Sequence, residues 1–125
     1  MASDIAGLVS ILFGVIVVSA ASTWTARAGA KGELTRNGSV GLRTRHTQTS
    51  DSAWQAGHAA ALPLLTRTVW VAVITIVLAA LVQLSSGGPW GILVGVCGMV
   101  VEVIMLVVAT RAANRAAKDA ESFPT

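Results

Sequence analysis

The chain has 125 residues, 54% of them hydrophobic and 12% charged, with a mean hydropathy of +0.70. A soluble domain carries about 25% charged residues, so the composition argues against a soluble globular enzyme. It also excludes a disordered chain, which needs low hydrophobicity. The net charge of +3 is clustered rather than spread along the chain, so it marks topology and not a nucleic-acid surface.

In chain order, the first apolar run is Ile5 to Thr23, with no charge between Asp4 and Arg27. A hydrocarbon core about 30 Å thick needs about 20 such residues in a helix. No Lys or Arg precedes this run, whereas a signal peptide carries a positive n-region. A retained span is therefore expected. The uncharged stretch from Thr68 to Val101 is too long for one span and is broken at Ser85-Ser86-Gly87-Gly88-Pro89, a turn signal. The reading is a helical hairpin, with spans about 62–84 and 90–110 on either side of the turn. The fold class expected is an all-α membrane protein with three transmembrane helices, a structured loop over 24–61 and a polar tail over 111–125.

Lys and Arg bias sets the orientation. Arg27, Lys31, Arg36, Arg43 and Arg45 lie between the first two spans, and Arg111, Arg115 and Lys118 follow the third. Three spans put all of these on one side, so the loop and C-terminus are expected in the cytoplasm and the N-terminus outside. Trp24, Trp70 and Trp90 lie near span ends, where aromatic belts form. Cys97 has no partner for an intrachain disulfide and reads as a small buried apolar residue.

The loop carries the most local information. Asn37-Gly38 makes a tight turn, and Val40 and Leu42 flank Gly41 in an extended pattern. Thr49 or Ser50 suits a helix N-cap, with Asp51 in the first turn. A short interfacial helix is expected over about 51–62, broken from the next span by Pro63. Its residues Trp54, Gly57, His58, Ala61 and Leu65 share one face, placed against the membrane interface or the bundle end. Trp54 reads as an interfacial anchor.

The order Asn37, Val40-Gly41-Leu42-Arg43-Thr44, Thr47, Ser50, Trp54, His58, followed by a two-span hairpin, resembles the SdpI/YfhL family of small bacterial membrane proteins. The resemblance runs over roughly 10–111. Arg45 and His46 stand where family members often have Pro and an aromatic residue, and the additional spans of longer members are absent. The best-known member is an immunity protein against a secreted toxin that also sequesters a repressor at the membrane. The resemblance thus implies a role in immunity or signalling, in a bacterial inner membrane.

The candidate functional positions follow. Glu102 lies about 12 Å inside the third span, where an unpaired charge costs several kcal/mol. Arg67 is expected to pair with it, with His58 as a further partner. A transport or proton role and a contact with another subunit remain the alternatives. Gly91, Gly95 and Gly98 share a face with Glu102 that allows close helix approach, either within the chain or to a partner. Ser10 and Gly14 form a weaker face of the same kind. Arg43 and Thr44 either bind an anionic group or hold the loop through backbone carbonyls. Arg27, Lys31, Arg36 and Arg45 read as topology signals and anionic-lipid contacts.

No catalytic set and no metal-ligand spacing is recognisable. A non-enzymatic protein without cofactor is expected, with membrane lipids as partners and no nucleic acid. Its role is read as an accessory subunit of a larger membrane complex such as a transporter, or a homo-oligomer. The second class is immunity or signalling, with a toxin or regulator as partner. A proton-coupled carrier or membrane enzyme centred on Glu102 and His58 is the third.

Overall fold

The structure, a computed structural model, describes residues 1–123. Three helices follow in order: α1 (Ala2–Ala30), α2 (Asp51–Ser86) and α3 (Trp90–Ser122). All three are long and apolar enough to cross a membrane, and no strand occurs among the described residues. The stretch around Val40 and Leu42 is irregular chain.

The α2–α3 turn falls where the sequence placed it. Gly87 and Gly88 take φ of 63° and 57° there, a left-handed conformation that glycine adopts without a Cβ penalty. Helix α2 is central, packing most extensively on α3 and next on α1. Interior lines are built from small residues. On α3 they are Gly91, Gly95, Gly98, Glu102, Ala109, Ala113 and Ala117. Large apolar side chains such as Phe13, Ile74, Leu81 and Ile104 face outward. That inversion of the soluble pattern suits lipid, where close backbone approach rather than apolar burial joins helices.

Three boundaries differ from the sequence reading. Helix α1 runs past Arg27 to Ala30. Helix α2 starts at Asp51 and passes through Pro63 unbroken, so there is no separate interfacial helix. Ala59, whose carbonyl Pro63 leaves without its helical donor, and Pro63 itself both lie on the exposed face. Trp54, His58, Ala61, Leu65 and Thr68, on either side of Pro63, are buried on the opposite face, and this packing outweighs the roughly 3 kcal/mol proline penalty. Helix α3 continues through the Ala-rich 111–122 segment, with Ala113 and Ala117 fully buried. The expected polar tail is therefore a docked helical extension.

The helices stack in a fixed register. A Cβ on Gly95 would meet Ile11 of α1 at 2.7 Å, and one on Gly98 would overlap Thr75 of α2. At the loop end, a Cβ on Gly57 would stand 3.1 Å from the Ala113 carbonyl oxygen. Thus α1 and α3 run parallel and α2 antiparallel to both. Ala26, Ala61, Leu65, Ala109 and Ala113 form the core where the loop joins the bundle.

Candidate functional site: the loop end and Glu102

The loop folds around His58, which is fully buried. The Leu42 N–H donates to His58 Nε2 at 3.0 Å. That atom is therefore an acceptor, so the proton sits on Nδ1, which bonds the Trp54 carbonyl at 2.8 Å. The ring is neutral in this arrangement, and burial holds its pKa below the ordinary 6.5, opposed in part by the Trp54 carbonyl bond.

Two glycines clear the space around this ring. A Cβ on Gly29 of α1 would overlap the ring carbons and stand 2.9 Å from Nε2. Gly41 takes φ +137°, and a Cβ there would stand 3.1 Å from Nε2 while overlapping the Trp54 indole. Trp54 is 2% exposed, tilted against His58 with ring centroids 4.3 Å apart. Its Nε1–H donates to the Leu34 carbonyl at 2.9 Å. Trp54 is thus a buried support of the loop and not a membrane-facing anchor. Trp24, Trp70 and Trp90 do face outward.

Thr47, also fully buried, ties the next segment. Its hydroxyl donates to the Leu42 carbonyl at 2.7 Å and accepts from the Thr44 N–H at 2.8 Å. Thr44 Oγ1 accepts from the Thr47 N–H at 3.2 Å. The Arg43 guanidinium donates to the Arg36 carbonyl at 3.1 Å, to the Gly38 carbonyl, and to Gln48 Oε1 at 2.9 Å. Of the two readings of Arg43, the geometry shows the one in which it holds the loop. Ser50 is the N-cap, accepting from the Ala53 N–H at 3.1 Å.

Several supports were not readable from sequence. Arg36 Nε donates to Asp51 Oδ1 at 3.1 Å, and Arg36 Nη1 to the Gln48 carbonyl at 3.0 Å. From α3, Glu121 meets His46 Nδ1 at 3.2 Å and accepts from the Thr49 hydroxyl. That hydroxyl bond, followed by His46, holds the Glu121 carboxyl below the usual carboxylate range. Asn114 Oδ1 accepts from the His46 N–H at 3.4 Å. These partners lie up to 75 residues apart, so no local pattern announces them. A polar cleft of about 240 Å³ remains beside the loop, lined by residues that include Arg36, Asn37, Asp51 and Gln55. Asn37, the first motif residue, is exposed there.

The residues matched by the SdpI/YfhL protein family run from 33 to 108, which takes in this loop, α2 and most of α3. The chain belongs to that family. No curated protein and no solved structure matches it. As an SdpI-family protein it is a small multi-pass membrane protein whose spanning helices contact lipid.

The intramembrane positions depart from expectation. Glu102 is fully buried, and neither carboxylate oxygen has a hydrogen-bond partner among the described residues. Arg67 is exposed and makes no ion pair with it among those residues. The cause is helical phase. On α2 the interior line passes through Leu65, Thr68, Ala72 and Thr75, which leaves Arg67 on the outer face. His58 is likewise engaged with the loop. Gly91, Gly95 and Gly98 are buried against the protein's own α1 and α2, which is the intrachain reading of that face. A Cβ on Gly14 of α1 would stand 3.1 Å from the terminal methyl of Met99, so this position too packs within the chain. Cys97 is exposed on the outer surface rather than buried.

Proposed function

We propose that this SdpI-family protein is a non-enzymatic subunit of a larger complex of the bacterial inner membrane, such as a transporter, and that it presents its folded loop end to the partner in the cytoplasm. The observation that carries the reading is the inward aim of the motif. His58, Trp54, Thr47 and Arg43 all bond the loop's own backbone. Such a set makes a preformed surface, which lowers the ordering cost of binding. Exposed Lys31, Arg45, Arg115 and Lys118 decorate the same end and favour its placement in the cytoplasm. The interior position of the α3 glycines moves the partner contact away from that face.

The test is purification of a tagged full-length copy in mild detergent, with identification of co-purifying chains. A stoichiometric larger complex, lost on Arg45→Glu with Arg115→Glu, supports the reading. A monodisperse lone chain from the native membrane overturns it. Family membership favours a second reading, immunity or signalling through a toxin or regulator. Toxin sensitivity of a deletion strain, restored by the wild-type copy, would establish that one.

A further inference from the structure

Glu102 is the one carboxyl in the apolar interior of the described bundle, and its surroundings define what form it can take. The hydroxyls at its level have spent their protons. By the register of Gly95 on Ile11 and Gly98 on Thr75, Glu102 lies level with Val18 of α1 and Val71 of α2, one residue short of Ser19 and about one turn short of Thr68, both buried. Ser19 donates to the Ile16 carbonyl at 3.1 Å, and Thr68 donates to the Leu65 carbonyl. One turn nearer the loop, Thr23 donates across to the same Leu65 carbonyl at 2.9 Å. What these groups still offer is lone pairs. Neither oxygen of Glu102 has a hydrogen-bond partner among the described residues, so a carboxylate there would keep its whole charge uncompensated, whereas a carboxylic acid carries none.

Charge gives the same answer from every packed element. On α1 no charged residue lies between Asp4 and Arg27. On α2 the nearest is Arg67, which is exposed on the outer face. On α3 the nearest is Arg111, about 14 Å along the helix. An unpaired carboxylate in that position would be costly, and full burial keeps a partner helix in the lipid from reaching it.

The polar side chains are also unevenly arranged. From Glu102 toward the loop end, Thr68, Ser19 and Thr23 follow at steps of roughly 6 Å or less along the bundle axis. Toward the other end, Thr75 is followed by a gap of about 12 Å before Gln83, filled by the Gly95–Ile11 contact and Ala79.

We propose that Glu102 is an intramembrane proton-binding site, held as a neutral carboxylic acid and exchanging its proton with the loop side of the membrane through water admitted beside Thr68, Ser19 and Thr23. Its ligand is the proton itself, and the site is independent of the partner-binding role proposed above.

The test uses the full-length protein in sealed vesicles of ether-linked phosphatidylcholine and phosphatidylglycerol, which carry no ester carbonyl, read by infrared difference spectroscopy near neutral pH. Asp4, Glu33, Asp51, Asp119 and Glu121 lie outside the apolar segments, so a protonated-acid carbonyl band belongs to Glu102. The band is expected in the wild type, shifted in deuterated buffer, and lost in Glu102→Gln, a neutral near-isostere that keeps the fold. Its absence from the wild type, or its persistence in Glu102→Gln, overturns the site whatever the stability of the variant. In uniformly oriented vesicles, an alkaline jump on the loop side is expected to remove the band before one on the opposite side does. The reverse order overturns the route.

Discussion

The tightest contact in the loop end lies between Gly29 and the His58 ring, and it can be tested by adding a single methyl group. In Gly29→Ala the new Cβ would overlap the ring carbons and stand 2.9 Å from Nε2. Helix propensity alone favours the substitution by about 1 kcal/mol. Against that, the ring has nowhere to go. The Leu42 N–H bond at 3.0 Å and the Trp54 carbonyl bond at 2.8 Å fix its two nitrogens, and the Gly41 backbone closes the other side. Overpacking costs about 1–3 kcal/mol, and a ring driven off Leu42 leaves a donor unpaired for a further 1–3 kcal/mol or so. The net expectation is a loss of about 1–5 kcal/mol. His58→Ala should cost a similar amount, from the cavity and the orphaned Leu42 N–H. In the double variant the methyl group added at Gly29 enters the vacated space, so the losses should fall short of additivity by about 1–3 kcal/mol. Equilibrium denaturant unfolding of the full-length chain in detergent micelles, followed by circular dichroism, measures all four corners of the cycle. Additivity within about 0.5 kcal/mol would refute the placement of the ring against α1.

The same ring predicts a pH dependence. Because burial lowers the His58 pKa from 6.5, the folded chain binds fewer protons than the unfolded one. Its contribution to stability is whole above about pH 6.5 and is lost as pH falls through the lower folded value, with a slope of at most about 1.4 kcal/mol per pH unit. Measured in a Glu102→Gln background, which removes the opposite dependence of a carboxyl held neutral in the fold, unfolding midpoints should fall from neutral to mildly acid pH and stay flat once His58→Ala is added; parallel curves would count against the neutral, bonded ring. Arg43→Lys keeps the charge but cannot span the Arg36 and Gly38 carbonyls together with Gln48. It should cost about 1 kcal/mol and speed tryptic cleavage after Arg36 and Arg45 at least severalfold, and an unchanged digestion rate would show that the fork does not hold the loop. Arg67→Gln and Glu102→Gln should add within about 0.5 kcal/mol in unfolding experiments, since no ion pair joins them; a larger coupling would restore the pair.

How far the sequence could be read depended on the range of the interaction. Three long apolar helices, the Gly87-Gly88 turn and the Ser50 cap are each written within a local run of residues, and each is found in the structure. The face of Trp54, Gly57, His58, Ala61 and Leu65 follows from helical periodicity, and all five residues are buried. Pro63 misled because a local penalty of about 3 kcal/mol says nothing about the packing that flanks it. The third helix was cut short at Arg111 because charge marks the end of an apolar run and not the end of a helix. Glu102 and Arg67 looked like partners by depth alone. Pairing also needs matching azimuth, and two helices at about 100° per residue fix that only once the bundle is assembled.

The motif side chains and Glu102 therefore differ in kind. His58, Thr47, Trp54 and Arg43 each close a hydrogen bond onto backbone, so removing one should be felt first as instability of the loop. Glu102 closes none. A buried polar group without a partner usually costs stability, and replacing it with Gln removes any charge while keeping its shape. If Glu102 served packing alone, Glu102→Gln would be close to silent. A functional deficit in that variant, at wild-type stability, would have to come from the proton, which is why the two kinds of site need separate readouts.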